Sequence, residues 1–150
     1  MRLSMSEILD QASKMNGRKA KIEFLRQHYS PQLHKVLEYA FNPNIKFDLP
    51  EGTPPYKPLD SHEGQGMLYT ESPKLYIFVE GAHPGLEKMN RDNPNMKPGS
   101  RKREYLFIAM LENVDPADAK LLCAVKDKKV PYKGITYKLV KEAFGEYNHG

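Results

Sequence analysis

Between Asn42 and Gly66 the chain carries five prolines and three glycines. Proline fixes φ and has no amide proton to give, so a helix cannot continue through this stretch. It is also too long for a tight turn. The segment is therefore expected to be an extended or turning crossover that lies across the core, anchored by Ile45, Phe47, Leu49 and Tyr56. Whatever packs must be built from the segments on either side.

On the N-terminal side three helices are expected. The first spans about 4–15, with Ser4 or Ser6 as cap, Glu7 completing a capping box, and Ile8, Leu9 and Ala12 on one face. Asn16-Gly17 stops it. The second runs from Arg18 to Tyr29, with Ala20 and Phe24 inward alongside Ile22 and Leu25. Ser30-Pro31 opens the third, whose Leu33, Val36, Leu37, Ala40 and Phe41 form a stripe of period 3.6.

Past the crossover, Met67 to Val79 reads as helix or strand, because a run as short as YIFV fits either; Ser72-Pro73 favours a helix start. A polar loop rich in Gly, Pro and Asn follows over 81–99. Leu106, Phe107, Met110 and Leu111 then give an apolar helix over 100–113, and Asp115-Pro116 opens another carrying Ala119, Leu122 and Cys123. Thr136 caps a last helix holding Leu139, Val140 and Phe144, which Gly145 ends. Six to seven helices in one all-α bundle are expected over 1–150, with no internal repeat.

Composition narrows the function classes. A hydrophobic fraction of 39% and a charged fraction of 28% are those of a globular domain, and 150 residues suffice for a real core. No apolar run reaches the roughly 18 residues of a membrane span, and the N-terminus has no signal-peptide pattern, so no membrane partner and a cytoplasmic location are expected. The single cysteine, Cys123, sits in the apolar run LLCAV and reads as a core thiol. His28, His34, His62, His83 and His149 are scattered without metal-ligand spacing. There is no phosphate-binding glycine motif and no recognisable nucleophile motif. No catalytic residue, no cofactor and no metal are assigned.

The chemistry-bearing stretch lies near the C-terminus. From Lys126 to Lys141 six lysines accompany one acid, Asp127, a net charge of +5 where the whole chain has +4. Pro131 and Gly134 force a turn, after which Gly134, Ile135 and Thr136 open a helix. A helix N-terminus beside a glycine suits an anion, since unpaired amides and the dipole both favour negative charge. Lys126, Lys128, Lys129, Lys133, Lys138 and Lys141 would surround it, helped by Arg101, Lys102 and Arg103. A phosphate of duplex DNA is the natural occupant. The alternative is a protein-interaction module, an accessory factor for phage or host replication or transcription or an inhibitor of a host enzyme, touching its partner through Tyr56, Tyr69, Tyr76 and Phe78.

Two resemblances bear on this. The basic-Asp-basic turn with Gly134-Ile135-Thr136 and its amphipathic helix resembles the last helical motif in the N-terminal DNA-binding domain of ATP-dependent DNA ligases. The opening, EILDQASKMNGRKAKIEFLRQHYSPQLHKVLEYAFNPNIKF, is similar to the first helices of that domain. The likeness covers roughly 6–50 and 101–147 and implies DNA contact by Asp127, Gly134, Ile135 and Thr136. Val130-Pro131-Tyr132-Lys133 departs from the ligase turn, and the nucleotide-accepting KxDG motif is missing, so ligase activity is excluded. The whole chain, through PEGTPPYKP, EGQGMLY, LYIFVEG and AVKDKKVPYKGIT, more closely resembles small uncharacterised proteins of large contractile-tailed phages, notably of cyanobacteria. The combined expectation is a non-catalytic phage accessory protein that binds duplex DNA by its phosphate backbone.

Overall fold

Ser4 begins the folded chain by accepting the Glu7 amide while the Glu7 carboxylate accepts the Ser4 amide, a reciprocal capping box that starts α1 (Met5–Lys14). The computed structural model describes residues 2–60, 63–82, 85 and 98–147, with the backbone alone at 98–101. Gly17, at φ +89°, turns the chain into α2 (Arg18–Gln27), and Ser30 caps α3 (Pro31–Phe41) with Pro31 in its first turn. After the crossover come α4 (Met67–Glu71) and a 3-10 helix (Ser72–Phe78). The rest is α5 (Pro98–Leu111), α6 (Pro116–Lys126) capped by Asp115, and α7 (Tyr137–Phe144) capped by Thr136.

The fold is all-helical: among the described residues there are seven α-helices, one 3-10 helix and no strand. The stretch read as helix or strand is helical through Phe78 and then makes one antiparallel bridge, Val79 to Phe47 of the crossover. The Asp48 amide donates to Phe78 O and the Glu80 amide to Lys46 O, both at 2.8 Å. Phe47, Leu49 and Tyr56 pack against the core as half-buried anchors. The expected loop over 81–99 falls mostly outside the described residues, and α5 begins within its last positions, at Pro98.

One core joins all the helices. Ile8, Leu9 and Ala12 of α1, Leu33, Val36 and Leu37 of α3, Phe107 and Leu111 of α5, Leu121 and Leu122 of α6, and Leu139 and Val140 of α7 are buried. Each such large side chain contributes about 1.5–3 kcal/mol by leaving water. Cys123 is buried as expected, and burial pushes its thiol pKa up. The inward face of α2 differs from expectation: Ile22 and Leu25 are buried, whereas Ala20 and Phe24 are only half-buried. The packing of α2 on both α1 and α7 selects that face.

Candidate nucleic-acid interface

The end of α6 shows where the lysines go. Asp127 is the C-cap, Lys128 follows at φ +63°, and the Lys129 amide reaches back to Ala124 O while the Lys128 amide donates to Val125 O. This is a Schellman closure with lysine where glycine is usual. The Lys128 ammonium then turns inward and donates to the carbonyl oxygens of Tyr39, Asn42 and Ile45 at 2.5, 2.8 and 2.6 Å. Those carbonyls belong to the last turn of α3, its C-cap and the start of the crossover. Desolvation there lowers the Lys128 pKa.

Lys126 is buried, where Lys128 is half-buried. Its ammonium donates to Pro50 O at 2.7 Å and to Asp127 Oδ1, and the Asp127 carboxylate accepts the Gly52 amide at 3.1 Å. The pair straps the crossover to α6. Arg103 is fully buried: it pairs with Asp48 and donates to Ile77 O at 2.8 Å and Val79 O at 3.4 Å, closing the 3-10 helix. Lys126, Lys128 and Arg103 were expected at a phosphate-facing surface. They are instead committed to the protein's own carbonyls and carboxylates. Lys21 on the α1 end (Ser13 O and Met15 O) and Arg26 on the α7 end (Ala143 O and Glu142 O) act alike. Helix C-termini carry partial negative charge, and these cations answer it.

Of the cations assigned to the site from sequence, Lys129, Lys133, Lys138 and Lys141 face solvent, with Lys102 on α5. The Lys141 ammonium lies 4.1 Å from the Tyr137 ring centroid and 3.9 Å from Glu146. The Arg101 side chain lies outside the described residues. Gly134 adopts φ +80° and lies so close to α2 that a Cβ would come 2.8 Å from Lys21 Cε. Ile135 is buried and its amide donates to Tyr132 O, so that amide belongs to the turn rather than to a ligand. Thr136 accepts the Leu139 amide at 3.2 Å, and α7 has no acid in its first turn.

The sequence reading missed the neighbouring cations on α2. Gly17 makes no side-chain cap there, no acid stands in the first turn, and Arg18 and Lys19 are exposed. Arg18 pairs with Glu142 of α7. The available signal was MNGRKAK, three cations in four residues directly after a helix-stopping glycine. The turn before α7 and the start of α2 thus lie on elements that pack together.

His34 is buried against Tyr29, Phe144 and Tyr147, and desolvation holds its pKa below the ordinary 6.5. The His28 ring packs on Phe24, and His62, His83 and His149 lie outside the described residues. Among the described residues no group of three or more His, Cys, Asp or Glu side chains is placed to share a metal ion, and no helix is long and apolar enough to cross a membrane. Of the aromatic set assigned to a protein partner, Tyr69 and Phe78 are core and Tyr56 is half-buried, leaving Tyr76 exposed. No curated protein and no solved structure matches the chain. A family model matches residues 8–132, which is most of the chain, and the protein belongs to that family of unknown function, DUF6433.

Proposed function

We propose that this protein is a non-catalytic phage accessory factor that binds duplex DNA through its phosphate backbone. The turn before α7, with exposed Lys129, Lys133 and Lys138, makes the contact, and Arg18 and Lys19 extend it. One observation carries the reading. After the structural cations are set aside, the exposed ones flank the acid-free first turns of two helices that pack on each other. Helix N-termini with no acid in the first turn and exposed cations around them favour anions without reading bases, so the contact is expected to be weakly sequence-specific. The phage assignment rests on the sequence resemblance.

The test is fluorescence anisotropy of a labelled duplex at about 50 and 200 mM salt, on wild type and on a Lys129→Glu, Lys133→Glu, Lys138→Glu variant. The expected result is affinity that falls steeply with salt and is lost in the folded variant. Absence of binding at the lower salt overturns the reading. It would transfer the function to a protein partner, for which Tyr105, 75% exposed on α5, is the most accessible aromatic anchor among the described residues.

A further inference from the structure

The first turn of α6 holds two acids that the proposed DNA contact does not use. Asp115 is its N-cap and accepts the Asp118 amide at 2.9 Å; Asp118 accepts the Ser6 amide of α1, also at 2.9 Å. Asp118 is 0% and Asp115 7% exposed. In both, that bond uses Oδ1, and the remaining oxygen, Oδ2, is buried with no hydrogen-bond partner. An orphaned buried acceptor is costly. Two carboxylates cannot relieve each other, because an ionised carboxylate only accepts. The two side chains are nevertheless close enough to hydrogen-bond once one of them holds a proton.

The surroundings set how much charge the pair can carry. The first turns of α1 and α6 both deliver amides to it, each helix end bringing about half a positive charge. Together they balance roughly one negative charge, not two. The Ser6 side chain of α1 also faces Asp118 and favours its charged form. Glu7, engaged by the Ser4 amide and by Gln65, and Asp10 act instead on Tyr69 and Tyr132. Tyr69 of α4 and Tyr132 of the turn before α7 both feel the Asp118 charge. Arg2 brings a cation, held 4.0 Å over the Tyr69 ring. From the crossover, Gly64 packs on the Val114–Asp115 backbone and exposed Glu63 precedes it.

We propose that Asp115 and Asp118 share one proton, and that this proton latches the first turn of α1 to the first turn of α6. With the proton present, one Oδ2 becomes a donor and both orphaned oxygens are satisfied. Without it, two like charges face each other in a water-poor site. Relief requires either Asp118 to leave the Ser6 amide or Asp115 to leave its cap. Either movement loosens the N-terminal strap, which Tyr69 otherwise holds by donating its hydroxyl to Leu3 O at 2.8 Å. Burial raises the Asp118 pKa to about 7, so the latch opens across neutral pH.

The test is a carbon-detected NMR titration of the aspartate carboxyl groups in the full chain, with hydrogen exchange at the Ser6 amide. One carboxyl of the pair is expected to titrate near neutrality. Ser6 protection, corrected for base catalysis, should fall about tenfold or more once the proton is lost. Asp118→Asn keeps an acceptor for Ser6 and supplies a permanent donor to Asp115, so its Ser6 protection should stay level with pH. Both carboxyls titrating in the ordinary carboxylate range would overturn the proposal. So would an equal loss of Ser6 protection in Asp118→Asn.

Discussion

The Lys128 ammonium lies 2.5 Å from the Tyr39 carbonyl oxygen, bridging the end of α6 to the end of α3 across 89 positions of sequence. A non-glycine residue at φ +63° is unfavourable by about 1 kcal/mol. It is retained because three carbonyls converge on the ammonium. Lys128→Met keeps the aliphatic stem and removes the charge, leaving those carbonyls without their donor. It is expected to destabilise the fold by about 2 kcal/mol in urea unfolding. Lys133→Glu, on the exposed turn, should change stability by less than about 0.5 kcal/mol while weakening DNA binding.

Arg103 and Asp48 make the second such link, from α5 to the crossover. The guanidinium is fully buried, whereas the carboxylate is 27% exposed. Arg103→Met deletes three donor atoms and leaves Ile77 O and Val79 O without that partner. Removing one partner of a buried pair costs about 3–5 kcal/mol, and the low end applies because Asp48 can still be hydrated. A drop of about 3 kcal/mol in urea unfolding is the expected outcome. If DNA affinity of the folded fraction is unchanged, Arg103 is structural and not a phosphate ligand.

These two links show what was legible in sequence and what was not. Ser4–Glu7, Ser30–Pro31, Asp115–Pro116 and Thr136 act within four residues, and all four helix starts appear where those signals stand. The destinations of Lys128 and Arg103 lie 89 and 55 positions away. A lysine in a basic run reads as solvated until the end of α3 arrives beside it. The candidate site suffered most, because interior C-terminal closure and exterior phosphate binding recruit the same residue types. On α2 the sequence pointed Ala20, Ile22, Phe24 and Leu25 inward together, and the packing on α1 and α7 buries Ile22 and Leu25 while leaving Ala20 and Phe24 half-buried.

The crossover bears on stability through Gly64. Its φ is +73°, and a Cβ would stand 2.7 Å from the Val114 carbonyl carbon and from Leu59 Cδ1. Backbone cannot yield as a flexible side chain does. Gly64→Ala is therefore expected to destabilise by about 2–3 kcal/mol, combining the backbone conformation and the clash. Gly52→Ala, at φ +90° with open space around it, should cost only about 1 kcal/mol. Chemical unfolding of the two variants side by side separates clash from conformation.

Stability should also depend on pH in a direction set by Asp118. Its folded pKa is raised from 3.8 to about 7, so the folded state holds a proton that the unfolded chain has released. That contribution is complete below about pH 4 and is lost as pH rises through 7, a change on the order of 3 kcal/mol. Glu7 runs the other way: hydrogen bonds from Ser4 lower its pKa below 4.5, so its contribution holds above that value and disappears in acid. His34 also opposes Asp118, since burial keeps it neutral and its contribution fades as pH falls below 6.5. The decline due to Asp118 therefore runs from about pH 4 to about 7 and levels off above, and it is read as the difference between wild type and Asp118→Asn, which share Glu7 and His34. Melting temperatures measured from about pH 4.5 to 8.5 should fall in wild type relative to Asp118→Asn up to about pH 7, and the difference should stay constant above that. A difference that stays constant from about pH 4.5 to 8.5 would mean that Asp118 is ionised throughout that range in the folded protein, with its charge absorbed by the two helix N-termini.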